Sequence, residues 1–228
     1  FGVKFTYIQQ DSPRGIAHAV SLCEDFVNNK KFVVFLGDNI IQRKINDYIL
    51  HFEKSDASAS LLLCEVDNPS QFGIAEIEDN KIIKITEKPK NPPTNLAVTG
   101  IYFLTPYIFE IIKKLKPSWR NELEIADALQ MLIEENKKII YGIITDFWKD
   151  TGTPEDIIEA NKIILENMPE SFQGKKEEHV IMEGKIIVGK GTIIKNGVKI
   201  VGPVIIGGDC IIEGSTVIGE NTSIGENS

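Results

Sequence analysis

Hydrophobic and polar positions along the chain follow two grammars that meet near residue 170. Ahead of that point, short apolar runs rich in β-branched and aromatic residues alternate with stretches whose apolar residues recur every three or four positions. This predicts strands alternating with helices. Residues 4–9 and 31–36 read as strands, the second continuous enough for a buried parallel one. Between them Ser12-Pro13 opens a helical stretch with Ile16, Ala17, Val20, Cys23 and Val27 as its apolar residues, a serine cap followed by proline being a start signal. Further strands are expected over 57–66 and 97–104, and a hairpin over 74–77 and 81–86 around Glu78-Asp79-Asn80. A helix follows over 106–115. Asn121-x-x-Glu124 has capping-box spacing ahead of a helix that carries Ile125, Leu129, Leu132 and Ile133 on one stripe. Residues 138–145 read as a strand, and Thr153-Pro154-Glu155-Asp156 starts a last helix that runs to 167. The sum is a three-layer α/β domain over 1–170 with an inserted antiparallel element.

Beyond a linker over 171–180, which includes the charged run Lys175-Lys176-Glu177-Glu178, the period becomes six. Met182, Val188, Ile194, Ile200, Ile206, Ile212, Ile218 and Ile224 keep that spacing without a slip. One aliphatic per hexad suits a parallel β-helix over 181–228, in which each stacks on its equivalent one coil up. Three hexads make a coil, so two to three coils are expected, and the repeat is cut short at the end of the sequence. An isoleucine-rich meander is the competing reading, and eight positions in register weigh against it.

Composition narrows the function. With 42 % hydrophobic residues among 228, the chain can bury a sizeable core. Its net charge of -8 argues against a nucleic-acid partner, so a phosphate-bearing substrate would need a local cation, backbone amides or a metal. No apolar run approaches the ~18–20 residues of a membrane span. Cys23, Cys64 and Cys210 are odd in number and far apart, which suits a reducing cytoplasm better than a disulfide framework. His18, His51 and His179 have no metal-ligand spacing.

Three groups of residues offer chemistry. In Lys31–Asn39 an apolar strand ends in Gly37-Asp38, and in 138–154 a strand leads through Trp148-Lys149-Asp150 into a helix start. Ligands bind at such strand ends in open α/β sheets, and two carboxylates there suit one Mg²⁺, which takes one or two carboxylates and completes its octahedron with water and phosphate oxygens. A simple helix cap is the alternative for Asp38. Gln10, Pro13 and Gly15 form a second group: a glutamine offers a donor and an acceptor to a base edge, although a plain N-cap explains this segment as well. The third group is Gly73, Glu87, Lys88, Val98, Thr99 and Gly100, where a carboxylate could hold sugar hydroxyls and a lysine a phosphate. An edge-strand ion pair and a bulge are the structural readings of those positions.

The ordered set QDSPRGIAHA, FLGDN, FGIAEIE, ITEKPKNPP, AVTGIYF, NELEIADAL and WKDTGTPEDIIEAN resembles the sugar-1-phosphate nucleotidyltransferases, and among them the long glucose-1-phosphate thymidylyltransferases that carry a hexapeptide-repeat tail. The resemblance covers residues 5–167. It implies a Rossmann-like, glycosyltransferase-A-like mixed sheet followed by a left-handed β-helix. It also implies that Asp38 and Asp150 hold a catalytic Mg²⁺, and that Gln10, Pro13 and Gly15 meet the base. Gly73, Glu87, Lys88, Val98, Thr99, Gly100 and Trp148 would then line the sugar pocket, with Lys88 also serving catalysis. The implied partners are dTTP, or UTP in a close variant, and glucose-1-phosphate; the implied assembly is a homo-oligomer, with a trimer through the β-helix as one form.

Two departures bear on these expectations. The family's glycine-rich phosphate loop and first strand have no counterpart in 1–228, so these residues alone are expected to be inactive. Phe72-Gly73 stands where the family usually has Tyr-Gly. A non-catalytic sugar-nucleotide-binding or regulatory subunit therefore stays open as an alternative. So does an acyltransferase or assembly module, although no histidine falls within 182–228.

Overall fold

The computed structural model describes residues 2–228 and divides into two compact units, Phe1–Asp150 and Thr151–Ser228. In the first unit the elements are α1 (Ile16–Ser21), α2 (Glu24–Val27), β1 (Phe32–Phe35), β2 (Asn39–Ile41), α3 (Asn46–Lys54), β3 (Ala59–Glu65), β4 (Gly73–Glu78), β5 (Lys81–Glu87), β6 (Leu96–Leu104), α4 (Tyr107–Ile112), α5 (Ile125–Glu134), β7 (Ile139–Ile144) and β8 (Trp148–Asp150). The main sheet runs β5-β4-β6-β3-β7, with β3–β7 parallel and its other pairs antiparallel. Fully buried Leu61, Leu63, Ile111 and Leu129 belong to the core that includes residues of α1, α4 and α5, while Phe52, Leu62, Phe103 and Trp148 form a second core that includes α3. These two cores and the sheet are the three expected layers.

Strand β6 is shared between two partners. Its end at Ile101–Leu104 pairs with β1, and Ala97 near its start pairs with Ile74 of β4. Between those regions the ladder to β3 slips: two steps along β3, from Leu63 to Leu61, are matched by four along β6, from Val98 to Tyr102. Such a bulge re-aims the backbone locally, and here it coincides with a fork in the sheet.

Several expected elements differ. Residues 4–9 form no strand, and Tyr7 is 91 % exposed; their alternating pattern finds no strand to pair with among the described residues. Strand β1 is antiparallel to β6 rather than parallel, and only one of its faces is covered, with Val33 37 % and Phe35 44 % exposed. An apolar run predicts two-sided burial but carries no information on the direction of pairing. The first helix begins at Ile16 rather than Pro13, because residues 14–17 instead bond to Leu123 through Leu123 N–H to Arg14 O (2.8 Å) and Ala17 N–H to Leu123 O (3.1 Å). Asn121 caps no helix: it lies in a turn at φ 60°, and Glu124 is the N-cap of α5.

In the second unit, α6 (Pro154–Asn167) starts at the expected place, with a capping box between Thr153 and Asp156. Ten short strands follow: β9 (Ser171–Phe172), β10 (Lys175–Lys176), β11 (Ile181–Glu183), β12 (Ile186–Val188), β13 (Ile193–Ile194), β14 (Lys199–Val201), β15 (Val204–Ile206), β16 (Ile211–Ile212), β17 (Val217–Ile218) and β18 (Thr222–Ile224). They stack in three parallel ladders, β10-β13-β16, β11-β14-β17 and β18-β15-β12-β9, forming a solenoid of about three turns. Pairs such as Ile200↔Ile218 lie three hexads apart. Val188, Ile194, Ile200, Ile206, Ile212 and Ile218 fill its interior, with Met182 and Ile224 packed at the ends.

The boundary drawn at 170 and the linker over 171–180 are corrected in two ways. Ser171–Phe172 and Lys175–Lys176 already pair with β12 and β13 and so form the first coil. Helix α6 groups with the solenoid, because Asn161 donates to Asn221 O (2.7 Å) and accepts from the Ser223 hydroxyl (2.9 Å). No helix among the described residues is long and apolar enough to cross a membrane.

Candidate functional site

A cleft of about 220 Å³ opens in the first unit at the fork of β6. One wall comes from the short antiparallel ladder β2–β8, which pairs Asn39 with Asp150 and Ile41 with Trp148. Asp38 immediately precedes β2 and Asp150 ends β8, so two carboxylates separated by more than a hundred residues face the same cavity. The other wall is the β4–β5 hairpin with Val98, Gly100 and Tyr102 of β6.

Gly73 and Glu87 are register partners at the open end of that hairpin, and a Cβ on Gly73 would lie 3.2 Å from Glu87 Oε2. The glycine leaves room for the carboxylate. Next to it, Lys88 takes a left-handed backbone at φ 42° while its N–H bonds to Phe72 O (3.0 Å), and the residue is part of the cleft lining. Arg120 enters from the loop before α5, within 3.1 Å of Glu122 and 3.6 Å of both Glu87 and Glu124. Burial, then the Glu124 carboxylate, pushes the Glu87 carboxyl above its ordinary range, against the opposing pull of Lys88 and Arg120. Burial also raises the Tyr102 hydroxyl, with smaller contributions from Glu87 and Asp38, one from each wall. Trp148 is buried edge-on against Phe72, their ring centres 5.6 Å apart.

Of the residues singled out from sequence, Asp38, Asp150, Gly73, Glu87, Lys88, Val98, Gly100 and Trp148 line this cleft. Thr99 does not: its side chain is fully buried, and its hydroxyl has no hydrogen-bond partner. Gln10, Pro13 and Gly15 also lie outside the cleft lining, though Ile16, the next residue, is part of it. Gln10 Nε2 sits 2.7 Å from Nδ1 of His18, a buried histidine of α1, and Gly15 is held at φ 97° where a Cβ would meet Leu123 backbone at 2.5 Å. Arg14 pairs with Asp11 at 3.2 Å in the open.

Sequence reasoning missed Asn39, Tyr102 and Arg120. Asn39 is 8 % exposed and sits between the two walls. Its only signal was adjacency to Asp38, and that of Arg120 was its place just ahead of NELEIADAL. The oxygen donors available at the ladder end, two carboxylates with open space beside them, suit a hard divalent cation that completes its shell with water and phosphate.

This combination of a forked sheet, two carboxylates on one wall, and Lys88 and Arg120 among glutamates on the other agrees with the comparisons with known proteins. The family model described as Nucleotidyl transferase matches residues 1–167, and the chain belongs to that family. The low-salt glycan biosynthesis nucleotidyltransferase Agl11 of Haloferax volcanii is 44 % identical over 187 residues, covering 82 % of this chain and 52 % of that protein. The glucose-1-phosphate thymidylyltransferase of Streptomyces antibioticus is 40 % identical over 198 residues, covering 86 % and 56 %. A crystal structure of UDP-glucose pyrophosphorylase complexed with UDP-glucose superimposes with a TM-score of 0.65 at 30 % identity, covering 72 % of this chain and 67 % of that one. The chain thus spans about half the length of the curated relatives it matches.

Proposed function

We propose that the intact protein is a sugar-1-phosphate nucleotidyltransferase that joins dTTP and glucose-1-phosphate to give dTDP-glucose and pyrophosphate. The observation that carries this reading is the sharing of one cleft by Asp38, Asp150, Lys88 and Arg120. An oxygen of the sugar phosphate attacks the α-phosphorus, the bond to the β-phosphate oxygen breaks, and pyrophosphate leaves. Little covalent work falls to the protein; positioning and charge neutralisation set the rate.

Lys88 and Arg120 face the sugar phosphate as cations, and Glu87 accepts hydrogen bonds from sugar hydroxyls. Trp148 closes the floor of the pocket. Gln10 presents its amide to the base, with Pro13 and Gly15 flanking it. Asp38 and Asp150 hold Mg²⁺, which when bound offsets repulsion between the anionic substrates. The likeness to the glucose-1-phosphate thymidylyltransferase of Streptomyces antibioticus supports the choice of thymidine nucleotide and glucose. A UTP-using enzyme is the second reading, favoured by the likeness to the UDP-glucose pyrophosphorylase structure. Assembly as a homo-oligomer, with a trimer built on the solenoid, belongs to the same proposal and is supported by the exposed Ile181, Ile211 and Val217.

The test is pyrophosphate release by the intact protein, with dTTP or UTP against glucose-1-phosphate or N-acetylglucosamine-1-phosphate. Fastest turnover is expected for dTTP with glucose-1-phosphate. Faster turnover with UTP supports the second reading, and no release in any combination defeats both.

A further inference from the structure

The Asn39 side chain spans the junction between the carboxylate wall and the sugar wall. Its Oδ1 accepts from Gly100 N–H at 2.9 Å and from the Trp148 indole N–H at 2.8 Å. Both of those groups only donate, so the orientation of the amide is dictated by chemistry: the oxygen must face them. The Nδ2 group is thereby turned toward Asp38, where it donates to Oδ1 at 2.8 Å. The backbone reinforces this placement, with Asn39 N–H bonded to Leu36 O (3.1 Å) and Leu36 N–H to Gly100 O (2.8 Å). Gly100 has no side chain to obstruct it, since a Cβ there would lie 2.5–2.8 Å from three Asn39 side-chain atoms.

We propose that Asn39 is a positioning residue that locks the Asp38 carboxylate in register with the sugar-side wall, so that metal grip and sugar placement are set by one amide. This inference rests on the reading of Asp38 as a metal carboxylate. Asn39 lines the cleft as well, but the role proposed for it is exerted through Asp38. A residue that merely fills space would contribute equally through all its contacts, whereas here the donating and accepting halves have separable consequences.

Asn39→Asp and Asn39→Ala in the intact protein separate them. Aspartate keeps the oxygen that receives Gly100 and Trp148 but replaces the donor to Asp38 with a second carboxylate. Its kcat is expected to fall about ten- to a hundredfold, the worth of one hydrogen bond to a charged group, while KM for the sugar phosphate stays within about threefold. The alanine variant loses both halves, so its sugar-phosphate KM rises as well. The Trp148 indole N–H resonance, assigned by its loss in Trp148→Phe, gives a readout independent of turnover. It is expected to hold its position in Asn39→Asp and to shift in Asn39→Ala. Normal Mg²⁺-dependent turnover in Asn39→Asp, or an unmoved indole resonance in Asn39→Ala, overturns the proposal while leaving the reaction assignment standing. If the unaltered protein transfers no nucleotide, the reaction assignment fails and the positioning role, which rests on it, fails with it.

Discussion

Replacing Gly100 with alanine tests whether the junction at β6 is as rigid as its hydrogen bonds imply. The added methyl would lie 2.5–2.8 Å from Asn39 Nδ2, Cγ and Oδ1, where ordinary contact begins near 3.4 Å. One partner must therefore retreat by about 0.6–0.9 Å, the kind of overpacking that costs about 1–3 kcal/mol. If Asn39 moves, its 2.8–2.9 Å bonds to Trp148 and Gly100 stretch beyond useful length, and each is worth about 1 kcal/mol. The expected loss is about 2–4 kcal/mol, or about 4–16 °C in Tm for a unit of this size. Gly100→Ala alone does not identify the obstacle, so the informative assay is a double-mutant cycle by thermal or urea denaturation. Removing the Asn39 side chain makes room for the methyl, and Gly100→Ala should then cost at least about 1 kcal/mol less in the Asn39→Ala background. Costs that add within about 0.5 kcal/mol would refute the reasoning and place the strain in the β6 backbone itself.

Three further outcomes are expected. Asp38→Asn or Asp150→Asn should lower pyrophosphate release by orders of magnitude with an unchanged melting curve; near-normal Mg²⁺-dependent turnover in either would remove that residue from the metal site. Glu87 has a folded-state pKa above its unfolded value, so the native state holds its proton more tightly and this group favours folding less as pH rises between the two values. Glu87→Gln should therefore gain stability relative to the unaltered protein as pH climbs from 4 toward neutrality, and denaturation that shows the gap closing instead would contradict the burial argument. Thr153→Ala removes the capping box of α6 and should cost about 1 kcal/mol in the second unit, read by circular dichroism; no measurable change would mean that solenoid contacts alone hold the helix.

How far the sequence disclosed this molecule varies with the physics behind each feature. The hexads were legible because each strand of the solenoid turns an aliphatic into the interior at the same point of its coil, where it stacks on its equivalents. The placement of the carboxylates at 38 and 150 on one cleft was legible from their positions after apolar runs, and the start of α6 from Thr153-Pro154-Glu155-Asp156. Pairing direction was not, since nothing in 31–36 distinguishes a parallel neighbour from the antiparallel β6. The false capping box at Asn121 shows that spacing alone does not fix a helix start when a left-handed turn intervenes. Asn39 and Arg120 stayed hidden for a different reason. Each reaches the cleft through a partner remote in sequence, Gly100 and Trp148 for Asn39 and Glu87 for Arg120, and one polar residue in a loop or at a strand start carries no periodic signal.

The division of β6 between β1 and β4 has an evolutionary consequence. On the proposed reading, the ion-gripping ladder and the sugar-facing hairpin are separate arms hung from a common fulcrum. Exchanging the segment 73–87 between relatives should therefore alter which acceptor is taken without rebuilding the carboxylate pair, provided the amide at the pivot is kept.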